Sequence, residues 1–119
     1  MDLVLKDTAS HIAFPRRSEV WLVSLEPTIG SEIQKTRPCV VISPDEINKL
    51  LRTVIVAPLT STIKNYPTRV TIVFQTRESS IALDQIRSVD KSRLLRKLGN
   101  LSQQESKIIS HVLVTMFSQ

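Results

Sequence analysis

Thiolate, imidazole and clustered carboxylate chemistry have little to stand on in this sequence. Cys39 is its one cysteine, set in the apolar run Cys39-Val40-Val41-Ile42. A single cysteine allows no disulfide within the chain and no thiolate metal cluster, and it reads as a small buried strand residue. The two histidines, His11 and His111, lie near the two ends. No set of His, Cys, Asp and Glu has metal-ligand spacing, so no metal and no cofactor is expected. What remains is guanidinium, hydroxyl and isolated carboxylate chemistry. Many residues offer it, among them Arg37 before Pro38, the hydroxyl run Thr60-Ser61-Thr62 behind Pro58 and the Asp84-Gln85 pair, and residue type alone does not choose between them. A guanidinium presents a planar fork to phosphate oxygens and stays charged, and a following proline fixes the chain behind it. A hydroxyl held at a proline turn can bond a phosphate or, as turn residues do, its own backbone. A carboxylate such as Asp84 can act as a base, orient an arginine or cap a turn.

Charge narrows the choice of ligand. Lysine and arginine total 16 against 11 aspartates and glutamates, for a formal net charge of +5 at pH 7. Between Glu46 and Glu78 there is no carboxylate, while Lys49, Arg52, Lys64, Arg69 and Arg77 all fall there; Lys91, Arg93, Arg96 and Lys97 form a second cluster. Such stretches suit a polyanion, because neutralising its phosphates releases counterions. An acidic protein partner, or plain solubility, would be served by the same surface. With one Trp, one Tyr and three Phe, stacking on bases cannot dominate recognition, and Trp21 reads as a packed strand residue.

These groups need a scaffold. A chain of 119 residues, 41% hydrophobic, suffices for one domain. Residues 1–17, ending in Phe14-Pro15-Arg16-Arg17, read as a flexible N-terminal extension to a domain over 18–119. Residues 19–25 are β-prone and Glu26-Pro27 stops them. Residues 26–37 read as a polar loop, and loops of that length in a small domain usually carry function. Cys39–Ser43 and Thr53–Ala57 are apolar runs typical of buried strands. Between them, Ser43-Pro44-Asp45-Glu46 reads as a hydroxyl cap, a first-turn proline and first-turn acids, predicting a helix over 44–50. Residues 58–62 read as a turn. Thr68–Gln75 alternates as a half-exposed strand does, and 80–83 and 86–89 read as short strands around Asp84-Gln85. Ser102-Gln103-Gln104-Glu105 is a capping box, and Ile108, Ile109, Val112, Leu113, Met116 and Phe117 recur at helical spacing, predicting an amphipathic helix over 102–117. His111, beside that stripe, reads as structural. The whole predicts a mainly β fold with α, a strongly bent antiparallel sheet or barrel closed by a helix. No leading cationic-apolar segment and no bilayer-length run is seen, which predicts a cytoplasmic protein without a membrane partner.

Six stretches share an order and spacing with one family. They are Ser18-Glu19-Val20-Trp21-Leu22-Val23, Leu25 through Glu32 with its Pro-Thr-x-Gly-Ser-Glu, Thr36-Arg37-Pro38 through Ser43, Val56-Ala57-Pro58-Leu59-Thr60-Ser61, Leu83-Asp84-Gln85-Ile86-Arg87 through Asp90, and Arg93-Leu94. Over residues 18 to about 117 the chain resembles the MazF/PemK toxin endoribonucleases of type II toxin–antitoxin systems. That resemblance implies an SH3-like (CcdB/PemK-like) barrel with a C-terminal helix, a homodimer, sequence-specific cleavage of single-stranded RNA without metal, and neutralisation by a cognate antitoxin. It implies attack by the RNA's own 2′-hydroxyl, leaving 2′,3′-cyclic phosphate and 5′-hydroxyl ends.

Residue by residue, the resemblance makes Arg37 the stabiliser of transition-state charge and Thr60 the hydroxyl on the scissile phosphate, with Ser61 and Thr62 as alternatives. Asp84 takes acid–base work or orients the arginine. Gly30, Ser31, Glu32 and Lys35 of the long loop, with Gln85 and Arg87, contact RNA. Two positions depart from the family pattern, since Ser18 and Lys35 stand where relatives often carry glycine. The competing reading is a non-catalytic CcdB-like barrel that binds a protein target such as gyrase.

Overall fold

The computed structural model describes residues 14–26, 30, 32 and 35–119. Its strands are β1 (Glu19–Ser24), β2 (Thr36–Val41), β3 (Thr53–Thr60), β4 (Arg69–Phe74), β5 (Arg77–Ala82), β6 (Arg87–Asp90) and β7 (Leu94–Asn100). Its helices are α1 (Asp45–Leu50) and α2 (Gln103–Phe117). The strands form one antiparallel sheet in the order β4-β5-β3-β2-β1-β7, with β6 also paired to β3. The sheet curls into a half-barrel, as the density of short strands predicts. The reading of residues 1–13 as a tether lies outside the described residues. Of the rest of that segment, Pro15 is buried, and the Arg17 N–H donates to Asp45 Oδ1 at 2.8 Å.

Two apolar clusters hold the sheet. Val20, Val40, Ala57, Leu59, Val70, Ile72, Ile81 and Leu83 fill the face covered by α2, which contributes Ile109 and the half-buried Val112, Leu113 and Met116. On the other face Val23, Leu25, Cys39, Val41, Val54, Val56 and Val89 pack under Trp21 and Leu94. The continuous apolar runs of β2 and β3 therefore have a physical reason, since both strands are buried on both sides. Strand β4 buries Val70 and Ile72 and exposes Thr71 and Val73, the alternation its sequence carries. The α2 capping box forms in full, with Ser102 Oγ accepting from Glu105 N and Glu105 Oε1 accepting from Ser102 N.

Among the strands, local expectations change most in three places. Strand β2 starts at Thr36 rather than after Pro38, so Arg37 belongs to a strand and not to the loop. Strand β3 runs through Pro58 to Thr60, where the sequence suggests a turn. Strand β7 lies in a stretch read only as basic. It is an edge strand, largely exposed, with no alternation to announce it. What ties it to β1 is partly ionic, with Lys97 Nζ lying 3.0 Å from Glu19 Oε2. Glu19 is buried and also accepts from Arg16 N and Trp21 Nε1, both at 2.9 Å. Burial alone would raise its pKa, but these donors and the lysine outweigh it and hold the carboxyl below its ordinary range.

Helix α1 starts one residue later than expected, with Pro44 at the cap position and no side-chain cap. The Ser43 hydroxyl is used elsewhere. It donates to Asn48 Oδ1 and accepts the Ile55 N–H at 3.0 Å, while Asn48 Nδ2 donates to Ser43 O at 2.8 Å. Asn48 is wholly buried, so this network fixes the short helix on β3 with its side-chain amide satisfied.

The hairpin β4–β5 turns through Gln75 (φ 50°) and Thr76 (φ 66°). A two-residue turn of this hand matches strand twist but demands left-handed backbone at both positions, where neither residue is glycine. The tip is anchored to β7. Gln75 Nε2 donates to Leu98 O at 3.1 Å, and the Phe74 ring lies where a Cβ on Gly99 would sit only 3.2 Å away.

Replacing Asn48 by alanine strands the Ser43 hydroxyl in the interior. The expected loss is about 2 kcal/mol, read as a lower urea midpoint at unchanged slope. Leu50→Ala, on the exposed face of the same helix, changes stability by less than about 0.5 kcal/mol.

Candidate active site

Register brings Arg37 and Thr60 together. Strands β2 and β3 pair through Val41↔Val56, Val40↔Ala57 and Cys39↔Pro58. Carried on by two residues, the same register would oppose Arg37 to Thr60, and both line one cleft. The ladder ends just past Pro58, where Pro38, opposite Leu59 in this register, has no N–H to give. Beyond it β3 is held from its other side by β5, through Leu59↔Ile81 and Thr60↔Ser80. The ends of β2 and β3 part, and a cleft of about 560 Å³ opens. Arg37 and Pro38 form one wall and the hairpin residues Phe74, Gln75, Arg77, Glu78 and Ser79 the other, with Leu59, Thr60 and Ser61 between them. Its volume falls within the roughly 300–1,000 Å³ usual for ligand sites.

Each group in this cleft has a defined setting. Arg37 is half-buried, held by the strand and by the proline after it. Thr60 is buried, and its Oγ1 accepts the Thr62 N–H at 3.2 Å. That bond uses one lone pair and leaves the hydroxyl hydrogen to donate. Thr60 is thus both the local turn-former and the candidate phosphate ligand. Arg77 adds a second guanidinium, and Glu78 is the one carboxylate among the described residues lining the cleft. Sequence reasoning missed Gln75, Glu78 and Ser79 altogether and took Arg77 only as part of a basic run. Their role depends on how a hairpin folds over, and no local pattern carries that.

Asp84, Gln85, Arg87 and Glu32 line a different cavity of about 310 Å³, with Leu25, Pro58 and Ile86. Asp84 is the heart of a polar knot. Arg69 Nε and Nη2 donate to its two oxygens at 2.6 and 3.1 Å, and Thr68 Oγ1 donates to Oδ1 at 3.0 Å. The Tyr66 ring lies 5.2 Å from the Arg69 guanidinium. The Arg69 hydrogen bonds above all push the Asp84 pKa below its ordinary value, against a smaller opposing effect of burial. The carboxylate is therefore a weakened base, and Arg69 is the arginine it orients rather than Arg37.

The loop after β1 is pinned at its base. Leu25 N donates to Lys35 O at 3.0 Å, and Lys35 N donates to Glu26 Oε2 at 2.9 Å. Arg87 Nη1 donates to Leu25 O at 3.1 Å, and Arg93 Nη1 donates to the carbonyls of Ser24 and Glu26. Ser18 and Lys35, the two positions read from sequence as departing from the family pattern, are both left-handed, at φ 76° and φ 72°, and Gly30 turns at φ 62°. Ser31 lies outside the described residues. Part of the basic surface expected from sequence is thus spent on internal acceptors, Arg69 on Asp84, Lys97 on Glu19 and Arg93 on loop carbonyls, which Arg87 also serves.

Cys39 lies beneath this region, fully buried, its thiol pushed up to about 12 by burial against the partial relief of the Arg87 and Arg37 charges. It stays protonated and is no nucleophile. Among the described residues no three of His, Cys, Asp and Glu converge as metal ligands would. No helix of the described residues is long and apolar enough to cross a membrane. His111 sits exposed on α2.

Residues 16–117 match the family described as PemK-like, MazF-like toxin of type II toxin–antitoxin system. An endoribonuclease MazF of Staphylococcus saprophyticus is 40% identical over 104 residues, covering 82% of this chain and 87% of that protein. The crystal structure of MazF from Deinococcus radiodurans superposes with a TM-score of 0.77 at 25% identity, covering 91% of this chain and 100% of that one. An endoribonuclease from Mycobacterial species, solved in complex with its cognate antitoxin, gives 0.73 at 22% identity, covering 85% and 92%; at that identity it speaks for the fold alone.

The Asp84 pKa shift predicts a pH-dependent stability. A carboxyl whose folded pKa is depressed adds stability above its unfolded pKa of about 3.9 and loses it as pH falls through the folded value. Asp84→Asn is therefore expected to cost about 1 kcal/mol at pH 7, a modest figure because the pair is partly solvated. In denaturation series run from pH 7 downward, the gap to wild type should close below about pH 4.

Proposed function

The chain belongs to the PemK-like, MazF-like toxin family of type II toxin–antitoxin systems, and on that premise we propose that it is an endoribonuclease that cuts single-stranded RNA in the cleft between Arg37 and Thr60. The observation that carries this reading is the convergence of those two side chains, 23 positions apart in sequence, on one cavity of nucleotide size. The wild-type cut is made by the substrate's own 2′-hydroxyl. Its oxygen forms a bond to the adjacent phosphorus while the bond from phosphorus to the 5′-oxygen breaks. The products are a 2′,3′-cyclic phosphate and a 5′-hydroxyl, and the nucleophile needs no metal to generate it.

The protein's share is alignment and charge. The Arg37 fork takes the non-bridging oxygens and stabilises the negative charge that grows on them. Thr60 donates its remaining hydrogen to the same phosphate and fixes its angle to the attacking oxygen. Glu78 is the carboxylate placed to accept the 2′-hydroxyl proton, and the leaving 5′-oxygen takes its proton from water at the open cleft. Asp84 is a positioning residue in this scheme, since its lone pairs are held by Arg69 and Thr68. It braces the turn that carries Gln85 into the neighbouring cavity, where an RNA strand leaving the cleft would continue past Gln85 and Glu32. Arg77 meets a flanking phosphate, and Gly30, Ser31 and Lys35 are further RNA contacts. The same basic cleft suits the acidic segment of a cognate antitoxin, which would silence the enzyme by occupying it. A homodimer, as the family resemblance implies, would carry two such clefts.

The test is cleavage of a mixed single-stranded RNA pool in EDTA with mapping of the ends. Discrete cuts bearing cyclic phosphate are expected from wild type. Arg37→Ala should lose at least about 100-fold in rate, as loss of a transition-state charge contact does, with an unchanged circular dichroism spectrum. RNA left intact by the wild-type protein, or full activity in a folded Arg37→Ala, would falsify the assignment. Affinity should also fall steeply between 50 and 200 mM salt, about tenfold or more if several phosphates are neutralised; a flat response would remove the phosphate-gripping cleft from the picture.

A further inference from the structure

Ser80 is fully buried in β5, and its hydroxyl is the one buried side-chain polar atom among the described residues without a hydrogen-bond partner. Leaving a hydroxyl unpaired in the interior is costly, so its retention calls for a reason. Its place supplies one. In the sheet Ser80 is directly opposite Thr60 of β3 on one side and Thr71 of β4 on the other. Directly paired residues point to the same face, with Cβ atoms about 4.5–5.5 Å apart, a gap that rotation about χ1 can bridge with a hydrogen bond. Three hydroxyl-bearing residues thus form a row, and the row ends at the candidate phosphate ligand.

Thr60 has an acceptor site to spare. Its Oγ1 takes the Thr62 N–H on one lone pair, and a hydroxyl oxygen carries two. We propose that Ser80 is a positioning residue for Thr60: with RNA in the cleft, the Ser80 hydroxyl donates to Thr60 Oγ1 and steers the Thr60 hydrogen onto the phosphate. The two bonds reinforce each other. As Thr60 donates to an anionic oxygen its own oxygen becomes a better acceptor, so the bond from Ser80 strengthens when charge builds on the phosphate. Without a phosphate that incentive is absent, which accounts for the unpaired hydroxyl in the free protein. No bond to substrate is made by Ser80, and the inference rests on the RNA-cleaving reading of the cleft.

The experiment is single-turnover cleavage of one mapped RNA site by wild type, Ser80→Ala, Thr60→Ala and the double variant, with thermal melts of all four. Ser80→Ala removes an unsatisfied buried group, so its stability should equal or exceed wild type. Its cleavage rate should fall about 3- to 10-fold, the worth of one hydrogen bond of about 1 kcal/mol, with substrate affinity unchanged. In the Thr60→Ala background the same change should cost nothing more, because the group it acts through is gone. Ser80→Cys, close in size but a poor donor, should show the same rate loss and guards against a packing artefact. A full rate in Ser80→Ala overturns the proposal, and so does an equal loss with and without Thr60. Loss of activity in Thr60→Ala with none in Ser80→Ala leaves the enzyme reading standing and removes Ser80 alone. Wild-type protein that does not cut, or Thr60→Ala at full rate, overturns both.

Discussion

Everything in this molecule turns on the change of neighbours that β3 makes at Pro58. Up to that residue the strand is laddered to β2 on one edge and to β6 on the other. After it, β2 is gone and β5 has replaced β6. Pro38, which this register sets opposite Leu59, lacks the N–H that would continue the ladder, so two paired strands separate at a fixed point while the rest of the sheet stays whole. A gap of this kind in a sheet would ordinarily expose apolar surface. Here it is lined by a guanidinium on one strand, a hydroxyl on the other and a polar hairpin tip across from them. The buried runs on both faces of β2 and β3 keep the two walls from drifting, so the separation between Arg37 and Thr60 is set by the core rather than by a loop.

The distribution of arginine and lysine follows the same division of labour. Arg69, Arg87, Arg93 and Lys97 are committed to internal acceptors, a carboxylate knot beside Gln85, the carbonyls at the foot of the long loop, and the buried Glu19 on the edge pairing. These contacts position rather than bind. Net charge alone does not tell which cations are committed in this way. The guanidiniums that line the cleft, Arg37 and Arg77, come from a strand start and a hairpin tip, the two places where backbone geometry changes abruptly.

How much of this was readable from the residues follows from the range of the interactions. Local patterns carried the alternating β4, the doubly apolar β2 and β3, and the capped α2, because each depends on neighbours within a few positions. Strand β7 escaped because an exposed edge strand has no periodicity, and its pairing depends on Glu19 and on Gly99 yielding to the Phe74 ring. Ser43 misled for a related reason, since a hydroxyl before a proline looks like a cap until the distant Ile55 N–H claims it. For the site, motif resemblance named Arg37 and Thr60 as candidates, and the fold sets both on one cleft. Asp84 was legible as a chemically capable residue, but its partner, 15 positions upstream, was not. The placement of Glu78 and Ser80 was illegible, because it depends wholly on what β5 is laid against.

The sheet's two outer strands, β4 and β7, never exchange a backbone ladder. They meet through one aromatic ring set on a glycine and one amide reaching a carbonyl. The barrel therefore has a seam, fastened by side chains, and two of the fasteners, Phe74 and Gln75, also form a wall of the cleft. A tunnel would demand that a polymer be threaded from a terminus. A furrow bordering a seam accepts a long strand laid in sideways, at any point along its length, and this geometry suits an enzyme whose cuts fall in the interior of its substrate.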